Sequence, residues 1–305
     1  MKIIQFRYWL FGLSLLVIIP GMVALALWGL PLSIDYVGGS LLELQFPQPV
    51  DTATVRAIYQ AHGYSDADTT VQLSGSNVVD IRSLQLAAAD KTAILADLTK
   101  DFGTPTTLSD ESVGPLVGQE VTRAAALAIA AAAVGILIYI ALAFRKVDHP
   151  FRYGLCAIIA MVHDILVVVG MSAILGKLLG WEADALTLTA LLTVAGFSVH
   201  DTIVVFDRIR ENALIYRKEA YETVVNHSVV QTLDRSINTQ LTVMMTLLAL
   251  ALFGGVTIHH FVVILLIGVF SGTYSSIFNA AALLVVWENR EWHTWFKRKP
   301  ATATA

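Results

Sequence analysis

The chain is 305 residues long, 56% hydrophobic and only 14% charged, with a formal net charge of −4 and one cysteine, Cys156. A soluble chain of this length would form about two domains and carry roughly 25% charged residues, so an ordinary soluble enzyme is excluded. A lone cysteine excludes an intrachain disulfide framework, and no nucleic-acid motif occurs. The apolar residues come in long blocks, which predicts a multispanning membrane protein.

In chain order, the first block runs approximately from Tyr8 to Leu30 behind Lys2 and Arg7. It is too long for the apolar part of a signal peptide, and no small-residue cleavage pattern follows, so it reads as a retained anchor in a first domain over 1–30. A polar segment over 31–119 comes next. Ser40 to Phe46 alternates like a strand, and Asp51 to His62 opens on an Asp cap with Val55, Ile58 and Tyr59 on one helical face. Thr69 to Leu73 and Val78 to Arg82 read as strands joined by an SGSN turn. Ala87 to Phe102 reads as a helix with Ile94, Leu95 and Leu98 inward, and Thr106 to Leu108 begins a last strand. This βαββαβ order predicts a small α+β ferredoxin-like domain. It offers no Cys or His cluster and no phosphate loop, so it reads as a binding or mechanical module.

The rest, over 120–290, holds five further blocks, approximately Ala124 to Phe144, Tyr153 to Leu175, Leu186 to Phe206, Ser236 to Phe253 and Phe261 to Val286. A hydrocarbon core about 30 Å thick needs about 20 apolar residues of helix, so the fold class is a six-helix membrane bundle with one external domain. The connector at about 208–235 suits either an amphipathic helix on the membrane surface or a solvated helical link. The tail over 291–305 ends in PATATA and reads as disordered. Lys and Arg crowd the loops on one side, with Arg145, Lys146 and Arg152, then Arg208, Arg210, Arg217 and Lys218, then Arg290, Lys297, Arg298 and Lys299. That side is the cytoplasm by the positive-inside rule, which puts both termini inside and the 31–119 domain outside.

Ionisable groups at membrane depth cost several kcal/mol, face the protein interior and mark function. Asp201, beside His200, falls about five residues, or about 7.5 Å, inside the cytoplasmic end of span four. Asp164, beside His163, falls near the middle of span three. Arg235 leads into span five, followed at helical spacing by Asn238, Thr242 and Thr246. Span six carries Ser271, Ser275 and Asn279, and span four places Ser198 and Thr202 around Asp201. These polar faces are expected to converge on a hydrated core. There Asp201 can change charge, whereas the Arg235 guanidinium cannot. Approach and withdrawal of Arg235 would therefore make Asp201 release and take a proton. Each group also has a structural alternative: Asp201 as a hydrogen-bonded interface carboxylate, Arg235 as a snorkelling cation, Asp164 as an interhelical pair, His163 and His200 as interface histidines. His259 and His260 are adjacent, with no carboxylate or Cys to complete a metal site; no cofactor is expected.

AGFSVHDTIVVFDRIREN, from Ala195 to Asn212, resembles the fourth-span signature of the SecF family of protein-export membrane subunits. IDYVGGSLLELQF is similar to that family's D-x-x-G-G-x-x-x-E-x-x-F stretch, and ESVGPLVGQEVTRAA to its VGP-x-VG segment. QTLDRSINTQLTVMMTLLALALFGG and GVFSGTYSSIFNAAALLVVWE resemble its fifth and sixth spans. The matches are collinear from about Asp35 to Glu288. The resemblance implies a resistance-nodulation-division type half core in a bacterial inner membrane, paired with SecD and usually YajC, beside the SecYEG channel and SecA. With SecD it would use the proton motive force to complete export of unfolded preproteins. The family's functional aspartate falls on Asp201, its span-five arginine on Arg235 and its His-Asp pair on His163 and Asp164. Many relatives carry Asn where this chain has His200, which adds a titratable neighbour.

Three other classes are weighed against this reading. An intramembrane aspartyl protease could use Asp164 and Asp201, but the G-x-G-D context is absent. Half of a lipid or drug exporter of the same superfamily would carry a much larger external region. A scaffold subunit is separated by proton-coupled assays of Asp201 variants.

Overall fold

The computed structural model describes residues 2–66, 68–73, 77–145 and 149–295. Most of the SGSN turn, Lys146, Lys297 to Lys299 and the PATATA tail lie outside the described residues. The chain divides into two compact units, one formed by Met1–Leu30, Ile129–Trp181 and Leu186–Ala305, the other by Pro31–Ala128 and Glu182–Ala185.

Among the described residues, six helices are long and apolar enough to cross a membrane: Ile4–Trp28, Pro115–Ala143, Pro150–Leu179, Ala185–Ile215, Tyr221–Phe253 and Ile258–Glu288. Several exceed their apolar blocks. Span two starts at Pro115, whose fixed φ suits the first helical position, so the polar GQEVTR stretch is already helical. Spans four and five both extend past the apolar windows and are separated only by residues 216–220. The 208–235 connector is therefore two helix ends, not a surface helix. Its apolar residues Ile209, Val225 and Val229 are fully buried in the larger core, whereas Leu214 and Ile215, at the end of span four, are exposed. The side chain of Asn212 locks the two ends, donating to Ser228 Oγ and to Gln231 Oε1, each at 2.9 Å.

In the helical unit, spans one and three touch backbone to backbone at Gly21 and Gly170. A Cβ at Gly21 would lie 2.9 Å from Gly170 Cα; small residues permit such close approach between membrane helices. Span six is not a uniform α-helix, since Ser275–Ala280 form a π-helical segment. Such one-turn widenings concentrate at functional sites.

The second unit holds strands β1 (Gly39–Gln45), β2 (Thr70–Leu73), β3 (Val78–Ser83) and β4 (Thr106–Val113), with helices Thr52–Ala61 and Ala88–Phe102. The sheet order is β2-β3-β1-β4, every neighbouring pair antiparallel. Inward residues alternate along the strands, with Leu42, Leu44, Val79 and Ile81 packed against Tyr59, Ile94 and Leu98 of the helices. Asp51 caps the first helix through the Ala53 and Thr54 amides. β4 runs five residues beyond Leu108; its side chains are mostly exposed, so no apolar alternation announces it. The segment Glu182–Ala185 belongs to this unit. Ala183 donates to the Pro31 carbonyl at 2.7 Å and accepts from Ser33 at 2.9 Å, Asp35 caps the Ala185 amide at 2.9 Å, and Glu182 pairs with Arg82.

Candidate functional site

Span four presents Ser198, Asp201, Thr202 and Val205 to the interior, the i, i+3, i+4, i+7 face of one helix. Asp201 is 3% exposed. Its Oδ2 accepts a short hydrogen bond from Nε2 of Gln240 on span five. Gln240 is equally buried, and its Oε1 has no partner among the described residues. The neighbour on Asp201 is thus a neutral carboxamide, a residue the sequence reading passed over.

Arg235 is not brought to Asp201. It is exposed, and no ion pair to it occurs among the described residues. The reason is helical geometry: five residues separate Arg235 from Gln240, which turns them about 140° apart. Span five carries two polar stripes. One is buried and consists of Ser228, Thr232, Ser236 and Gln240. The other, Arg235, Asn238, Thr242 and Thr246, is exposed, and the Thr242 and Thr246 hydroxyls bond the carbonyls one turn back. The sequence leads one to expect the second stripe to face inward, and it faces outward instead. The i, i+4 run Ser-Thr-Ser-Gln was the signal that could have found the first. His200 is also exposed, one residue and roughly 100° from Asp201.

A second centre forms around Asp164, which is fully buried. Its Oδ1 accepts from Ser271 Oγ at 2.7 Å and contacts His163 Nδ1 at 3.0 Å; its Oδ2 accepts from Ser275 Oγ at 2.6 Å. When Asp164 is ionised it accepts only, and Nδ1 is then the donor in that pair. The neighbouring Ser276 turns to span four instead. Its hydroxyl donates to the Ser198 carbonyl at 2.7 Å and accepts from Thr202 at 3.0 Å. Gly272 leaves room for this convergence, since a Cβ there would lie 3.4 Å from Ser198 Cβ and 3.7 Å from Asp164 Oδ2. Span six thereby joins the aspartate of span three to the residue after Asp201. Asn279 points elsewhere, donating to Ser14 of span one at 2.7 Å.

Two carboxylates sharing one proton are what an aspartyl protease needs. Asp164 and Asp201 have separate sets of partners, with no shared hydrogen bond among the described residues. Nor do the described residues include a group of three or more His, Cys, Asp or Glu able to hold a metal. His260 stacks on Trp181 with ring centroids 4.2 Å apart, and His259 Nδ1 contacts the Ala251 carbonyl.

The chain and its fold are similar to known proteins. Residues 94–290 match the family model "Protein export membrane protein SecD/SecF, C-terminal". The protein translocase subunit SecF of Anaerolinea thermophila is 53% identical over 312 residues, covering 99% of this chain and 100% of that protein. Its counterpart in Thermobaculum terrenum is 52% identical, covering 99% of each chain. The crystal structure of SecDF, a translocon-associated membrane protein of Thermus thermophilus, superposes with a TM-score of 0.84 at 31% identity, covering 95% of this chain and 39% of that one. Identity of this extent over nearly the whole length, with the same fold, places the chain in the SecF family of protein translocase subunits.

Proposed function

We propose that this chain is the SecF-type half of a proton-driven, non-enzymatic protein translocase. Asp201 is its proton carrier. The single observation that carries the reading is a carboxylate 3% exposed within a span and held by the neutral carboxamide of Gln240. A carboxylate locked to a buried cation stays ionised, whereas one facing a carboxamide can gain or lose a proton without breaking an ion pair. Each tenfold change in its proton affinity is worth about 1.4 kcal/mol, and one charge crossing 100 mV yields about 2.3 kcal/mol. That is enough to bias a two-state motion.

The exposed stripe Arg235, Asn238, Thr242 and Thr246 is where SecD docks. A guanidinium and three polar side chains facing lipid would be costly, and the fused relative, of which this chain spans 39%, supports a second half. Arg235 then lies at the seam between the halves, and movement of that seam carries the guanidinium towards Asp201 and away from it. His163, Asp164, Ser198, Thr202, Asn238 and Thr242 support this centre.

The positive-inside bias supports a bacterial inner membrane with both termini cytoplasmic. The Pro31–Ala128 unit is then an external, ferredoxin-like binding and mechanical module, working beside SecYEG, SecA and YajC on unfolded preproteins. The test is Asp201→Asn in the full complex. The variant is expected to insert and associate normally and to lose proton-dependent late export; full export by it overturns the reading.

A further inference from the structure

The sheet of the smaller unit ends on one side at β4, whose eight residues pair only with β1 among the described residues. The opposite edge strand, β2, has four. Alternate residues of β4 turn both N–H and C=O away from β1, which leaves a row of backbone donors and acceptors along its outer side. Edge strands are blunted by lysine, proline or a bulge. Between Thr106 and Val113 there is no lysine and no proline, and the one register shift, opposite Glu43 and Leu44, lies near the start of the strand. From Ser109 to Val113 the register is regular, which gives about 17 Å of open edge at 3.4 Å per residue.

The charge beside that edge has one sign. Leu42, Leu44, Val79 and Ile81 point to the helices, so Glu43 and Asp80 stand on the helix-free face. They are directly opposite each other across β1 and β3, and Glu111 of β4 stands on the same face opposite Leu41. Like charges directly opposite destabilise a sheet. Burial, then the charges of Asp80 and Glu111, push the Glu43 carboxyl above its ordinary value. Arg82 on this face is paired with Glu182, Lys91 on the helix side is paired with Asp110, and no ion pair to Glu43 or Glu111 occurs among the described residues. An acid pair held in register without a cation has its countercharge supplied from outside the chain.

We propose that the outer edge of β4 is a docking site for an extended, basic segment of a polypeptide in transit. The segment adds to the sheet as a further strand along Ser109–Val113 and turns Lys or Arg at alternate positions over Glu111 and Glu43. Strand addition suits such a guest, because main-chain hydrogen bonds supply affinity whatever the sequence, and only the side chains on one face are selected. Here the selection is by charge alone, so many different chains fit.

The inference rests on the translocase reading for the source of the segment. The test uses the full-length chain in phosphatidylcholine nanodiscs and fluorescent peptides of alternating Lys and Thr, or of alternating Glu and Thr, titrated by anisotropy up to millimolar peptide. The Lys peptide is expected to bind, more weakly as salt rises, and to protect the amides of Ser109–Val113 from hydrogen exchange. A Lys peptide that binds no better than the Glu peptide overturns the proposal, as does protection that falls on β2 or on the helices instead. Two further Lys peptides carry N-methyl groups on either the Lys or the Thr amides. Only one of these alternating sets faces β4 in an added strand, so one of the two is expected to lose binding; binding that survives both methylations overturns strand addition. Glu43→Gln combined with Glu111→Gln removes the repulsion as well as the charges, so the fold is kept, and is expected to weaken the Lys peptide about fivefold, as two exposed charge pairs allow. Unchanged affinity overturns the proposal. Asp201→Asn keeps the two readings apart. A peptide that fails to bind a chain whose export depends on Asp201 sinks only the docking site, and normal export by Asp201→Asn sinks only the proton-carrier reading.

Discussion

Gln240 of span five donates its amide to the carboxylate of Asp201 on span four, and both side chains are buried. A charge-assisted bond of this type contributes about 1.5–3 kcal/mol. Gln240→Leu is expected to lower stability by that order, because Asp201 loses its donor and stays buried. The melting temperature of the solubilised protein reads this, and Arg235→Gln, at an exposed position of the same helix, is expected to leave it within about 0.5 kcal/mol of wild type.

The contact between spans one and three predicts a sharp positional effect. Gly170→Ala places a Cβ 2.7 Å from Gly21 Cα, whereas Gly12→Ala on span one meets nothing within 4 Å. Overpacking of a close interface costs about 1–3 kcal/mol, so thermal melting should fall for the first. The second exchanges glycine for a better helix former and should leave it level or slightly raised.

In the sheet-bearing unit, Glu182 and Arg82 are partners of unequal standing. Burial pushes the Glu182 carboxyl above its ordinary value, and the Arg82 guanidinium only partly offsets this. A carboxyl raised on folding binds its proton more tightly in the folded state. The stability of this unit therefore falls as pH rises from the ordinary carboxyl value of about 4.3 through the raised one. Glu182→Gln removes that slope and is expected to be close to neutral at pH 7. Arg82→Ala leaves the half-buried carboxylate without its cation and is expected to destabilise, by about 1 kcal/mol after allowing for solvent screening. Hydrogen exchange at the β3 amides, followed from pH 4 to pH 8, measures all three.

The Asn212 lock predicts a local effect. Asn212→Ala strips donors from Ser228 and Gln231 and is expected to cost about 1–3 kcal/mol. Faster hydrogen exchange should appear at the facing ends of spans four and five, around 208–230, while amides near Asp164 keep their protection.

Hydropathy was enough to find the six spans, because a lipid core demands long apolar helices whatever the neighbours. It placed their ends badly at Pro115, Ile215 and Tyr221, since helix continues through polar residues once Asn212, Val225 and Val229 have protein to pack on. The alternating Leu42, Leu44, Val79 and Ile81 marked the strands of the smaller unit; the mostly polar residues of β4 did not.

Residue types alone also singled out Asp164 and Asp201 as the costly groups, for a carboxylate in an apolar run needs a reason whatever surrounds it. Which side chains hold them was settled only by packing. Both polar stripes of span five have the same 3.6-residue period, and nothing in that period says which of Arg235 and Gln240 turns inward. Consecutive serines of span six, Ser275 and Ser276, serve different helices, as the roughly 100° between neighbouring helical residues allows. Rotation about a helix axis is fixed by the neighbours against which the helix packs, and those neighbours come from distant parts of the chain.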